Sequence, residues 1–179
     1  MTPTSHTILS VPNGVPLTIP RYIVNDGGHI RKARAGDIAY LSENLRPEDK
    51  AEIKAASGRD PEDGMSHAVG LEEAWVGVHD QGPWVIWGHT VLNPKVATVW
   101  CLATTQLKQH RAGFLRVSVS WLNTLGKKFQ TINCFTDSRN KEHHRWLKFM
   151  RFNRIGDPLF FCDPNVEFHE YKREDFNNV

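Results

Sequence analysis

Apolar and polar positions along this chain change regime at about residue 28. Before it no helical or strand period appears. The stretch carries four prolines (Pro3, Pro12, Pro16, Pro20) and closes on Gly27-Gly28. It reads as an extended arm, residues 1–28. Within it, Leu17 to Val24 holds enough β-formers for one edge strand, which could dock on the chain's own sheet or on a neighbouring protein. From Ile30 the pattern is regular. Ile30-Arg31-Lys32-Ala33 reads as a short strand, and Asp37 lies in the cap or first turn of a helix whose apolar positions are Ile38, Leu41 and Leu45. Pro47 opens a second helix, with Glu48 and Asp49 in its first turn, that runs to Gly58. Residues 59–70 hold Pro61, Gly64 and Gly70 and read as a loop.

Strands dominate next. Ala74 to Val78 and Trp84 to Val91 flank the turn Asp80-Gln81-Gly82-Pro83 and form a hairpin, and Ala97 to Thr104 is a third β-rich run. A long amphipathic helix follows from about His110 to Leu125, with Phe114, Val117, Trp121 and Leu125 on one face, ended by Gly126. Thr131 to Thr136 is a strand. Asn140 to Met150 is a helix burying His143, Trp146, Leu147 and Met150. Leu159 to Cys162 and Val166 to Tyr171 are two closing strands around Asp163-Pro164. The order is β-α-α-β-β-β-α-β-α-β-β, an α/β chain with a mixed sheet: antiparallel in the early hairpin, parallel where helices separate strands. Residues 29–173 form one domain and 174–179 a polar tail.

Composition adds limits. With 40% hydrophobic and 23% charged residues in 179, one globular domain with a core is expected. No run approaches the ~18 apolar residues of a membrane helix, and Met1 to Ser10 lacks the basic start and apolar block of a signal peptide. A cytoplasmic location is the default. Three widely spaced cysteines (Cys101, Cys134, Cys162) argue for reduced thiols, two of them in strands, and against a disulfide framework or a zinc cluster. The net charge of +2 is too balanced to imply nucleic acid by itself. The charge is uneven, however. Between Leu107 and Lys128 the charged residues are all basic: Lys108, Arg111, Arg116, Lys127 and Lys128. That face is either simply solvated or an anion site.

The element order resembles the GNAT (acyl-CoA N-acyltransferase) superfamily. Ile30-Arg31-Lys32-Ala33 with Asp37 matches its opening strand and Asp-led helix. The strand Thr131 to Thr136, Asn140, and the helix through Met150-Arg151-Phe152 match its late strand, Asn and helix. More narrowly, Asn140-Lys141-Glu142-His143-His144-Arg145-Trp146-Leu147-Lys148 resembles a segment of the acetyltransferase-like internal virion protein A family of short-tailed bacteriophages.

The resemblance implies acetyl transfer from acetyl-CoA to an amine, and three provisions for it. A Gln/Arg-x-x-Gly-x-Gly/Ala loop would hold the cofactor's pyrophosphate on backbone N–H groups at a helix start. Here that place holds Leu107 to Gly113, with Lys108, Gln109, Arg111 and Gly113 as candidates. Arg111 stands at the family's first glycine, so charge could replace the cradle. A splayed pair of parallel strands, Trp100 to Thr104 and Ile132 to Thr136, would pair the pantetheine arm along one edge, with Ala103 and Thr104 nearest. Asn140 and Trp146 would contact the cofactor by the same resemblance, although Asn140 also reads as a plain N-cap. The third provision is proton handling. The family's acid, a Tyr on the late helix, is replaced by Leu147, which has no proton to give. Candidate bases are His89 and Glu73, with His79 and Glu72 beside them. His143-His144 is adjacent rather than i, i+4, and no metal site is expected.

Three function classes follow: an acetyl-CoA-dependent N-acetyltransferase with an unidentified amine acceptor, a catalytically silent GNAT-fold protein of phage virion or assembly, and a nucleic-acid-binding module. The degenerate phosphate loop and Leu147 favour the second. The strand-Asn-helix geometry favours the first. The third would stack bases on the six tryptophans (Trp75, Trp84, Trp87, Trp100, Trp121, Trp146), which otherwise form core and groove wall. The resemblance places the protein in a host cytoplasm or within a phage particle.

Overall fold

The computed structural model describes residues 23–24, 28–68 and 74–174. In chain order these form β1 (Ile23–Val24), β2 (Gly28–Lys32), α1 (Ala35–Asn44), α2 (Pro47–Ser57), α3 (Pro61–Ala68), β3 (Ala74–His79), β4 (Gly82–Asn93), β5 (Val96–Ala103), α4 (Leu107–Gly126), β6 (Thr131–Asp137), α5 (Lys141–Phe149), β7 (Asn153–Phe160) and β8 (Glu167–Arg173).

Local chemistry accounts for most boundaries. Asp37 accepts from Arg34 N–H at 2.8 Å and takes both arms of the Arg31 guanidinium at 2.7 and 2.8 Å, which ties β2 to the start of α1. Pro47 opens α2, and Gly58, with φ 70°, closes it by donating to Lys54 O. Asn140 caps α5 by accepting from His143 N–H at 3.3 Å.

Two expectations need correction. The segment expected as a loop, residues 59–70, contains the helix α3. Gly64 is no breaker here. A Cβ at that position would meet Ile53 Cγ2 at 2.4 Å, so the glycine lets α3 lie close against α2. The late strands are not parallel to β6. Sheet order is β1-β2-β3-β4-β5-β6-β8-β7, and only β5 and β6 run parallel. A tight turn at Asp163–Asn165 folds β7 and β8 into a hairpin, and its second strand takes the place beside β6. Of the two dockings open to Leu17–Val24, the described residues Ile23 and Val24 show the one on the chain's own sheet, antiparallel to β2. The rest of the arm lies outside the described residues.

The unbroken apolar run Trp84-Val85-Ile86-Trp87 sits on β4, which is covered on both faces. On one side Trp87 meets Phe114 of α4 edge-on, with ring centroids 5.3 Å apart. On the other, Ile86 packs with Leu41 of α1 and Met65 of α3. Each such fully buried side chain contributes ~2–3 kcal/mol. Five of the six tryptophans are buried and Trp100 is half-buried. They form the core, and base stacking would need an open ring face.

Candidate active site

The parallel pairing of β5 with β6 lasts three residues on each strand: Val96↔Thr131, Ala97↔Ile132 and Thr98↔Asn133. Beyond them β5 stays with β4 as far as Ala103, while β6 pairs with β8. The strands therefore part toward their C-terminal ends, as the GNAT resemblance implies for Trp100–Thr104 and Ile132–Thr136. Both flanking helices, α4 and α5, start at the open end.

A cleft of about 250 Å³ lies at this mouth, lined by Arg46, Leu107, Lys108, Arg111, Glu142, His143, Arg145 and Trp146. Four cations face one carboxylate. An open groove between α4 and α5 adjoins it, sharing Lys108, Arg111, Arg145 and Trp146 and adding the exposed Phe149. A cavity of about 30 Å³ behind it is lined by, among others, Cys101, Cys134, His143 and Trp146. His143 and Trp146 thus separate a basic mouth from a small apolar space holding two thiols.

Beneath the cleft sits a buried polar network. His143 Nδ1 lies 3.1 Å from Thr136 Oγ1 and 3.9 Å from Glu52 Oε1. Asn140 Nδ2 donates to Glu52 at 2.9 Å and to Asp49 at 3.4 Å. Burial opposes charge on the His143 ring, but the Cys134 sulfur and the Glu52 carboxylate outweigh it and raise the ring to about 10. Burial likewise pushes the Asp49 carboxyl up, against the pull of Arg46 and the Ala103 N–H. Donors nevertheless converge on both of its oxygens, the pattern an ionised carboxylate accepts. On the far side of α5, His144 Nε2 meets the Asp137 carbonyl at 3.0 Å, so Nε2 carries the proton and Nδ1 accepts from the Tyr171 hydroxyl at 2.9 Å. That ring pins α5 to β6 and β8.

No protein-family model matches the chain, and no curated protein matches it either. Solved structures do. RimL, a ribosomal L7/L12 alpha-N-protein acetyltransferase in complex with coenzyme A, superposes with a TM-score of 0.62 at 11% identity, over 89% of this chain and 99% of that one. An N-acetyltransferase from Staphylococcus aureus Mu50 gives 0.58 at 12% identity, over 82% and 98%. A GNAT-family acetyltransferase from Bacillus cereus gives 0.55 at 13%, over 83% and 97%. This chain has the GNAT fold.

Against the GNAT resemblance the candidate residues divide. Lys108, Arg111 and Trp146 come together at the cleft, and Gln109 lines the adjoining groove. The expected loop is not one, however. α4 begins at Leu107, before the expected His110, so Lys108 to Gly113 occupy its first turns and Gly113 is half-buried within it. The first-turn amides are already used: Leu107, Lys108 and Gln109 donate to the carbonyls of Thr104, Thr105 and Gln106. An open backbone cradle is absent, and cationic side chains stand in its place. Ala103 and Thr104 are buried, with Thr104 N–H donating to Trp84 O at 2.9 Å. Asn140 is buried, and its side chain serves α5, Glu52 and Asp49. His89 lies in the aromatic core against Trp121 and Phe129, opposite Val99 at the paired end of the wedge, and does not line the cleft. Glu73 and Glu72 lie outside the described residues. Leu147 is buried. Among the described residues no cluster of three His, Cys, Asp or Glu side chains is placed to hold a metal ion, and no helix is long and apolar enough to cross a membrane.

Four site residues escaped the sequence. Asp49 read only as part of a helix's first turn, Arg145 only as part of the segment Asn140 to Lys148, and Arg46 and Glu52 drew no reading. The only local signal was the Arg46/Asp49 spacing of three.

Proposed function

We propose that this protein is a GNAT-fold N-acetyltransferase that holds the phosphates of acetyl-CoA on Lys108, Arg111 and Arg145 and passes acetyl to an amine. The observation that carries this reading is the parting of β5 and β6 directly over a cleft lined by four cations. Acetyl-CoA would supply an activated thioester there. Lys108 and Arg111 are exposed at the cleft, where their cationic heads would meet phosphate through charge-assisted hydrogen bonds, and buried Trp146 forms the inner wall. RimL binds coenzyme A on the same fold. Leu147 supplies no proton, and His143, on α5 at the same cleft, is the group we propose to give one. Glu73, just before β3, is the base we propose for the amine. Titration calorimetry with acetyl-CoA tests the binding; absence of heat with the intact chain overturns it. Release of free coenzyme A thiol in the presence of amines tests the transfer.

A second reading, a silent GNAT-fold protein of phage assembly, is supported by Leu147, by the closed first-turn amides, and by the segment Asn140 to Lys148. It requires binding without thiol release for any amine. It also requires a chain lacking residues 1–22 to stay folded while failing to join particles.

A further inference from the structure

Resting on the acetyl-CoA reading, the geometry points to a built-in occupant of the arm slot: we propose that Leu45–Asp49 is a strap covering the edge of β5 that would pair with the cofactor's pantetheine arm, and that Asp49 decides whether the arm contributes to binding. Ala103 is the last residue of β5 at the parted end of the wedge. Both of its backbone groups are taken by this segment. Its N–H donates to Asp49 Oδ2 at 2.8 Å, and its carbonyl accepts from Arg46 N–H at 2.9 Å. Leu45 also bridges Thr104 in antiparallel fashion. The strap therefore imitates an added strand, the geometry an amide-bearing arm would use.

The strap is fastened at two points of different depth. Inside, Asp49 is 1% exposed and receives Arg46 Nε at 3.1 Å, Arg46 Nη2 at 2.7 Å and Asn140 Nδ2 at 3.4 Å. Outside, Arg46 Nη1 reaches Glu142 Oε2 at 2.9 Å, and that carboxylate is half exposed, at 53%. Arg46 thus links α2 to α5 across the slot and also lines the cleft beside it. An arm entering along β5 must take over the N–H and carbonyl of Ala103, which leaves Asp49 and Arg46 to find new partners in a buried space. A buried carboxylate deprived of donors is costly. The phosphates meet no such obstacle, because Lys108, Arg111 and Arg145 lie outside the strap. The cleft as built accepts the nucleotide of coenzyme A outright, and its arm enters only when the strap yields the edge of β5.

Two probes separate these parts: coenzyme A, and the adenosine 3′-phosphate 5′-diphosphate nucleotide that keeps all three phosphates and lacks the arm. Calorimetry on the full chain should give affinities within about threefold of each other. In Asp49→Ala, coenzyme A should gain about tenfold over the nucleotide. Amide exchange at Ala103 should be slow in the wild-type chain with either probe, and fast in the variant until coenzyme A is added. Wild-type affinity for coenzyme A more than tenfold above the nucleotide overturns the strap, whether or not the variant folds. If neither probe binds, the phosphate reading of the cleft fails first and the strap with it. Equal binding of both probes to a folded Asp49→Ala protein leaves the cleft reading standing and overturns the role of Asp49.

Discussion

The Asp49 carboxylate receives the backbone N–H of Ala103 at 2.8 Å, although the two residues lie 54 positions apart in the chain. This bond joins the start of α2 to the end of β5 at the mouth of the wedge. Asp49 also holds the Arg46 guanidinium at two points. Asp49→Ala leaves a buried cation with only Glu142 and an amide with no acceptor. We expect a loss of about 2–4 kcal/mol, read from urea unfolding. A loss below about 1 kcal/mol would show that water satisfies these groups.

Arg111 stands where the GNAT resemblance would put that family's first glycine, on a helix whose first-turn amides are already bonded. If side-chain charge holds the phosphates, Arg111→Glu should weaken acetyl-CoA by tenfold or more, ~1.4 kcal/mol. Wild-type affinity should also fall with added salt. Calorimetry in low and high salt checks both, and an unchanged constant for the variant removes Arg111 from the site.

His143 makes stability depend on pH. Its folded value, about 10, lies above the ordinary 6.5. The folded state therefore binds the proton more tightly than the unfolded chain. The resulting stabilisation is complete below about pH 6.5 and is lost as pH rises through about 10. We expect up to a few kcal/mol to disappear over that window, and His143→Gln to flatten it. Urea midpoints measured across the range decide. An equal fall in the variant would assign the effect elsewhere.

Gly64 is a packing residue rather than a helix stop. Gly64→Ala raises helix propensity by ~1 kcal/mol, but its methyl would meet Ile53 Cγ2 at 2.4 Å. The clash should win, with a net loss of about 1–2 kcal/mol by thermal unfolding. Gly64→Ala combined with Ile53→Ala, which removes Cγ2, should cost less than the sum of the two single losses. A stabilised single variant would mean α2 and α3 can move apart.

Elements whose signals are local were legible in the sequence. Asp37, Gly58 and Asn140 mark helix ends through bonds to backbone a few residues away, and Pro47 through its fixed φ at the first position. The runs at 74–78, 84–91 and 97–104 carry strand character in their own side chains, and the apolar stripe of α4 announces its buried face. Their order carried the resemblance to the GNAT fold, and that resemblance implied the parting of β5 from β6.

Long-range choices were not legible. Nothing near Gly64 says that Ile53 lies under it, so a helix read as a loop. Nothing between Phe152 and Arg173 says which strand of the last hairpin stands beside β6, because both have the same local character. The site divides along the same line. Lys108, Arg111 and Trp146, which meet at the cleft, could be singled out because one helix face or one motif carries them. The partnership of Arg46 and Asp49 with Ala103, and of Glu52 with His143, was not, because each joins residues distant in the chain. Charge and period along a sequence determine which face of an element is buried. Only the packed structure determines which buried groups meet, and here that meeting decides what the wedge between β5 and β6 can admit.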